Sequence, residues 1–210
     1  MGRVGGVEKS HKRSNRMNIL KGFPERYKDS AEPTGNKWID AFTKGQQVVQ
    51  SGGILVVYGT NGTGKSRMAY ELAKKCSMPR NEFSPIGMSS IRKIRPCYYT
   101  TAVMLFMELR ESFSSKSEAS EMQIVKRYSE AAFLVIDEIQ ERGETSFEDR
   151  KLTSIIDARY SDNRPTMLIS NYSREKFAQS MSPAVLDRIR ENGMGLHFDW
   201  ESYRRPTIHI

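Results

Sequence analysis

The 210-residue sequence predicts an α/β domain built on a single parallel sheet. Three observations carry that expectation. A complete phosphate-binding loop, Gly59-Thr60-Asn61-Gly62-Thr63-Gly64-Lys65-Ser66, follows the apolar, β-branched run at 54–58 and precedes a helix-patterned segment. Such a loop works only at a strand-to-helix turn, where inward N–H groups and the positive end of the helix dipole meet an anion. A second apolar run, at 131–136, ends in the acidic pair Asp137-Glu138. Short apolar runs alternate with helix-patterned segments along the chain, as in a sheet with right-handed crossovers covered on both faces.

Taken in order, residues 1–21 read as a basic tail. Arg3, Lys9, Lys12, Arg13, Arg16 and Lys21 stand against Glu8 alone, which gives +5 of the formal +8. The tail is either a solvated arm or a surface for nucleic acid or an acidic partner. A domain over 22–210 opens on a turn-rich stretch punctuated by Pro24, Pro33 and Gly35. Residues 38–50 form a helix with Trp38, Ile39, Phe42, Val48 and Val49, and the first strand follows at 54–58. Met68, Leu72 and Cys76 recur every four residues, the spacing of a helix over 67–76 packed on a sheet. The irregular stretch 77–96 carries Arg80, Arg92, Lys93 and Arg95 against Glu82, a second basic surface or an ordinary solvated loop. A strand at 97–101 and a helix at 102–113 follow, broken by the Ser-rich 112–120; a helix at 121–128 leads to the strand 131–136. The helix 148–160 aligns Leu152, Ile155, Ile156 and Arg159, and a strand at 166–170 follows Pro165. Helices at 174–180 and 183–190 precede a last strand in which Leu196, Phe198 and Trp200 alternate, giving five strands and no repeat.

Composition narrows the function classes. Cys76 and Cys97 lie far apart without a Cys-x-x-Cys or a neighbouring His, so a structural zinc site is unsupported and a reducing cytoplasm is the expected location. No apolar run approaches the roughly 20 residues of a spanning helix, and the N-terminus lacks a signal-peptide core, so no membrane role is expected.

The motif residues suit nucleotide chemistry. Gly59, Gly62 and Gly64 permit the tight backbone, Lys65 can reach the β and γ phosphates of ATP, and the Ser66 hydroxyl can sit on Mg²⁺. Asp137, at the carboxyl edge of the sheet, can hold Mg²⁺ directly or through water. Glu138 would polarise an attacking water; a kinase needs only the metal-binding Asp, so the adjacent Glu favours hydrolysis. Asn171 ends a third apolar strand.

The chain resembles the DnaC/IstB group of AAA+ ATPases, of the DnaC replicative helicase-loader type. The resemblance runs over residues 22–205. It rests on Gly-Phe-Pro-Glu-Arg-Tyr at 22–27, Thr-Thr-Ala-Val-Met at 100–104, Leu-Val-Ile-Asp-Glu-Ile at 134–139 and Ile-Asp-Ala-Arg-Tyr at 156–160. It continues through Asn-Arg-Pro-Thr at 163–166, Ser-Asn at 170–171, Leu-Asp-Arg-Ile-Arg at 186–190 and Phe-Asp-Trp-Glu-Ser-Tyr-Arg at 198–204. It implies an AAA+ (ASCE) P-loop fold with a reduced or absent lid, ATP and Mg²⁺ as cofactors, and ATP hydrolysis. It also implies single-stranded DNA and a replicative ring helicase as partners. Asn171 would sense the γ phosphate. Arg188 corresponds to the arginine finger donated into a neighbouring subunit, which implies self-association, with Arg190 a second candidate; Ala184 stands where the family often has another Arg. The single-strand contacts map to Arg110, Phe113, Thr145 and Phe147, cations for phosphates and aromatic faces for bases. Loaders of this group carry a folded helicase-binding domain before the ATPase module, where this chain has the basic tail; either the tail does that job in reduced form or the partner differs. The alternatives are an IstB-like transposition helper ATPase and a nucleotide-dependent DNA-binding adaptor. A small-molecule kinase is disfavoured, because the sequence shows no evident lid or acceptor site and carries Asp137-Glu138 with Asn171.

Overall fold

The computed structural model describes residues 19–29, 35–77, 95–114 and 117–203. The tail cations at 3–16 and those at 80, 92 and 93 lie outside the described residues. In chain order the elements are β1 (Leu20–Lys21), α1 (Arg26–Asp29), α2 (Asn36–Gln50), β2 (Ile54–Gly59), α3 (Lys65–Cys76), β3 (Cys97–Thr101) and α4 (Ala102–Glu111). They continue with α5 (Glu121–Ser129), β4 (Phe133–Asp137), a 3-10 turn (Ile139–Glu141), α6 (Ser146–Ser161), β5 (Thr166–Ser170), α7 (Arg174–Ser180), α8 (Pro183–Asn192) and β6 (Gly193–Phe198).

The strands are short apolar runs because both faces of the sheet are covered, and alternate side chains feed two cores. Leu55, Val57, Phe133, Val135, Met167 and Ile169 enter the core shared with Trp38, Val48, Met68 and Leu72 of α2 and α3. Ile54, Val56, Leu134, Ile136 and Leu168 enter the opposite core, with Leu105, Phe106 and Leu109 of α4, Ile124 of α5 and Leu152, Ile155 and Ile156 of α6. Helix starts follow side-chain chemistry: Thr101, Thr145, Ser173 and Ser182 each accept a backbone N–H at their helix N-terminus, and Ser120 with Gln123 forms a capping box.

All strands run parallel in the order β1-β3-β4-β5-β2-β6. The phosphate-loop strand β2 therefore sits beside β5, and β5 beside the acidic strand β4, so the three chemistry-bearing strand ends line one edge. The sheet has six strands where the sequence predicts five. The extra one is β1, whose Leu20 and Lys21 pair with Cys97 and Tyr98; two residues are too few to show a period, and they fall at the end of the stretch read as tail. The last strand ends at Phe198 and leaves Trp200 beyond it. The described residues after β6 run only from 199 to 203, with no helical lid among them.

Arg159 is fully buried and, among the described residues, bonds to no carboxylate. It donates to Thr166 Oγ1 at 2.8 Å and to the carbonyl oxygens of Tyr128 (2.7 Å), Ser129 (3.1 Å), Ala131 (3.0 Å) and Pro165 (2.5 Å). Burial, and then Arg164, lower its pKa to about 9, which leaves it charged at neutral pH. From α6 it pins the end of α5 to the starts of β4 and β5.

Candidate nucleotide-binding site

The phosphate loop turns from β2 into α3 through backbone that only glycine adopts without strain. Gly59 has φ +126° and Gly64 φ +91°; a Cβ on Gly59 would lie 2.3 Å from the Phe198 carbonyl oxygen, and one on Gly64 2.9 Å from Trp38 Nε1. Both tryptophans brace the loop from outside: Trp38 Nε1 donates to the Gly64 carbonyl (3.4 Å) and Trp200 Nε1 to that of Thr63 (3.0 Å). Tyr203 N–H donates to the Gly62 carbonyl at 2.9 Å, and Thr60 N–H to that of Phe198 at 3.2 Å, so the segment after β6 clasps the loop.

Inside the turn, Lys65 is buried and donates to the carbonyls of Gly59 (2.8 Å) and Thr60 (2.6 Å). Asp137 is 5% exposed and engaged on both oxygens. Its Oδ2 accepts from Ser66 Oγ at 2.5 Å and from the Tyr99 hydroxyl at 2.6 Å, and its Oδ1 accepts from Glu138 N at 2.7 Å. The site thus brings Ser66 and Asp137, the two residues the sequence reading assigns to Mg²⁺, together across the β2–β4 gap. Their hard oxygen donors are of the type Mg²⁺ takes.

Glu138 is exposed and held at φ 52°, ψ 43°, a left-handed conformation costing a non-glycine residue about 1–2 kcal/mol. The cost is met by the bond from its N–H to Asp137 and by the turn in which Glu141 N donates to its carbonyl at 2.9 Å. Partial burial, Asp137 and Glu141 raise its pKa. Asn171 is exposed at the end of β5, and its N–H reaches Gln140 Oε1 at 3.2 Å, which also meets Ser170 Oγ at 3.2 Å. The buried Gln140 thereby fixes the end of β5 to the turn after β4.

These groups share a cavity of about 550 Å³, in the range of small-molecule sites, whose lining includes Asn61, Gly62, Gly64, Lys65, Ser66, Asp137, Glu138 and Asn171. Sequence reasoning missed five further lining residues, Arg26, Tyr27, Arg67, Tyr99 and Tyr203. Arg26 and Tyr203 line the cavity from opposite ends of the described chain, and Tyr99 lines it from β3. Tyr99 was findable in principle, because Thr101 pairs with Asp137 in register and a residue two back shares its face.

Arg188 does not line this cavity. It is half-buried on α8, reaching Asp157 (3.1 Å) and Asp187 (3.4 Å), with its guanidinium 4.9 Å from the Tyr160 ring centre. Ala184 is exposed on the groove between α6 and α8. Arg110, Phe113, Thr145 and Phe147 come together in a separate patch. Phe113 is 64% exposed and meets the half-buried Phe147 edge-on at 5.7 Å; Arg110 pairs with the buried Glu148; the Thr145 hydroxyl caps α6 through Glu148 N at 3.3 Å. Exposed Met104 and Met107 extend the apolar surface along α4.

A phosphate cradle facing an acidic strand end across a parallel sheet is the arrangement of the P-loop nucleotide-binding proteins. The family model of the IstB-like ATP binding protein matches residues 37–208, and the chain belongs to that family. It is 29% identical over 171 residues to the replicative helicase loader DnaC of Escherichia coli K12, covering 79% of this chain and 64% of the relative. It thus spans less than two thirds of that relative's length. The crystal structure of a DnaC helicase loader superposes with TM-score 0.63 at 19% identity, over 83% of this chain and 99% of that one. AMPPCP-bound DnaA from Aquifex aeolicus gives TM-score 0.63 at 14% identity, over 85% and 51%. These likenesses identify the fold as AAA+. Among the described residues no helix is long and apolar enough to cross a membrane.

Proposed function

We propose that the chain is a Mg²⁺-dependent ATPase that binds single-stranded DNA and helps place a replicative ring helicase on it. The observation that carries the reading is the convergence of Lys65, Ser66, Asp137, Glu138 and Asn171 on one cavity. Mg²⁺, held by Ser66 and Asp137, would supply charge neutralisation at the β and γ phosphates. Lys65 exchanges the carbonyls it now holds for phosphate oxygens. Glu138 accepts a proton from the attacking water, a task its raised pKa suits, and Asn171 orients that water against the terminal phosphate. Arg188 lies outside the chain's own cavity, as a cation serving a neighbour's site would. The Arg110, Phe113 and Phe147 patch supplies a cation and two aromatic faces for a single strand. The helicase role rests on similarity to relatives bearing that name. The division into a basic tail at 1–21 and an ATPase domain at 22–210 belongs to the same proposal. A second reading, an IstB-like transposition helper ATPase, stays beside the first because the matching family is named for an IstB-like ATP binding protein.

Phosphate release with and without single-stranded DNA tests the first part. Lys65→Ala is expected to abolish nucleotide binding, and Glu138→Gln to keep binding while losing turnover; equal loss of ATP affinity in both overturns the assigned roles. Co-precipitation from the source cell separates a hexameric helicase from a transposase.

A further inference from the structure

Arg26 is the exposed cation of this cavity that the motif chemistry does not use. Three cations line the cavity, Arg26, Lys65 and Arg67. Lys65 is engaged with the loop carbonyls. Arg67 is 7% exposed, donates to Glu71 Oε1 and to the Tyr27 carbonyl (3.0 Å), and lies 5.5 Å from the Tyr70 ring centre, so it serves as a strut. Arg26 is exposed and, among the described residues, forms no ion pair. Its guanidinium reaches only the Tyr27 hydroxyl (3.1 Å) and ring face (5.0 Å).

Its placement is nonetheless built. Phe23 is 7% exposed and packs on Tyr70 at 5.9 Å and Tyr99 at 5.3 Å, and Tyr27 packs on Tyr70 at 6.1 Å. With Tyr27 also tied to Arg67, the segment carrying Arg26 is fastened to α3 and β3. Tyr99 is the residue that donates to Asp137, so Arg26 stands at the Ser66–Asp137 end of the cavity, where its charge is favoured by Tyr27, Tyr99 and Asp137.

We propose that Arg26 grips the terminal phosphates of the nucleotide in cis, from the Ser66–Asp137 end of the cavity, and so makes the site prefer a triphosphate. A planar guanidinium can pair two phosphate oxygens at once. In moving to phosphate it surrenders only a hydroxyl contact and a ring face. No cation of α8 lines the cavity among the described residues, so Arg26 supplies the second usable side-chain charge beside Lys65.

This inference rests on the nucleotide reading, and the experiment separates the two. Calorimetric titration of ATP, ADP and AMP into the full chain, with Mg²⁺ and again in EDTA, is carried out for the unaltered protein, Arg26→Ala and Arg26→Lys. Arg26→Ala is expected to weaken ATP about 10- to 100-fold and AMP by less than about 3-fold, with Arg26→Lys between the two. Because Arg26 is exposed, the ligand-free unfolding midpoint should not move. If Arg26→Ala binds ATP as the unaltered protein does, or loses ATP and AMP by the same factor, the inference fails and the nucleotide site stands. If the unaltered protein binds none of the three, the nucleotide reading falls as well.

Discussion

Asp137 receives hydrogen bonds from Ser66, Tyr99 and Glu138, so its carboxylate is oriented by the protein before anything binds. Groups that orient a metal ligand commonly matter to metal affinity by about 10–100-fold when removed. Tyr99→Phe deletes one of these donors and keeps the ring against Phe23. Its expected effect is about tenfold weaker Mg²⁺ affinity in the presence of ATP, read by titrating Mg²⁺ against bound nucleotide, with ATP affinity in EDTA unchanged. At this scale the site was half legible. Lys65, Ser66, Asp137 and Glu138 announce themselves because their chemistry is bound to local sequence context. Tyr99 and Arg26 reach the cavity through strand register and through the route of the segment at 22–29, neither of which is encoded within a few residues.

Among the elements, α6 carries the least expected one of its residues. Its apolar spacing places Arg159 in line with Leu152, Ile155 and Ile156, and the structure keeps it there as a buried cation whose acceptors are carbonyl oxygens and a threonine. Arg159→Met preserves bulk but leaves those acceptors unsatisfied. It should cost about 3–5 kcal/mol, seen as a lower urea midpoint at unchanged slope. Arg159→Lys should lose nearly as much, since an ammonium cannot reach along the same fork. Helices and central strands were legible because two-sided burial writes continuous apolar runs and hydroxyl caps into the sequence. β1 was not, because its pairing with β3 is a matter of backbone hydrogen bonds across some 75 intervening residues.

For the molecule as a whole, the outward position of Arg188 has a testable meaning. If it completes a neighbour's site, Arg188→Ala should leave ATP affinity of the isolated chain intact and cut turnover in the assembly. Mixing Arg188→Ala with Glu138→Gln then creates some interfaces with an intact finger facing an intact acidic pair. Turnover should reappear in the mixture; its absence where mixed assemblies demonstrably form overturns the trans assignment. The sheet is shared with its relatives, whereas partner choice lives in surface chemistry that the sheet does not constrain.

The chain has two tryptophans, and both give their indole N–H to carbonyls of the phosphate loop, Trp38 at Gly64 and Trp200 at Thr63. Trp38 is stacked on Phe42 at 5.2 Å, and Trp200 lies 4.3 Å from the Phe198 ring centre. Every photon of indole emission therefore originates on the outer wall of the turn that a phosphate would enter. A ligand seated in the loop is expected to perturb the Gly64 and Thr63 carbonyls, and through them both chromophores. The protein is thus its own optical sensor: ATP should shift or quench emission excited at the indole band without any label. Trp200→Phe should remove part of that change and Lys65→Ala all of it, giving stopped-flow access to binding in the unmodified chain.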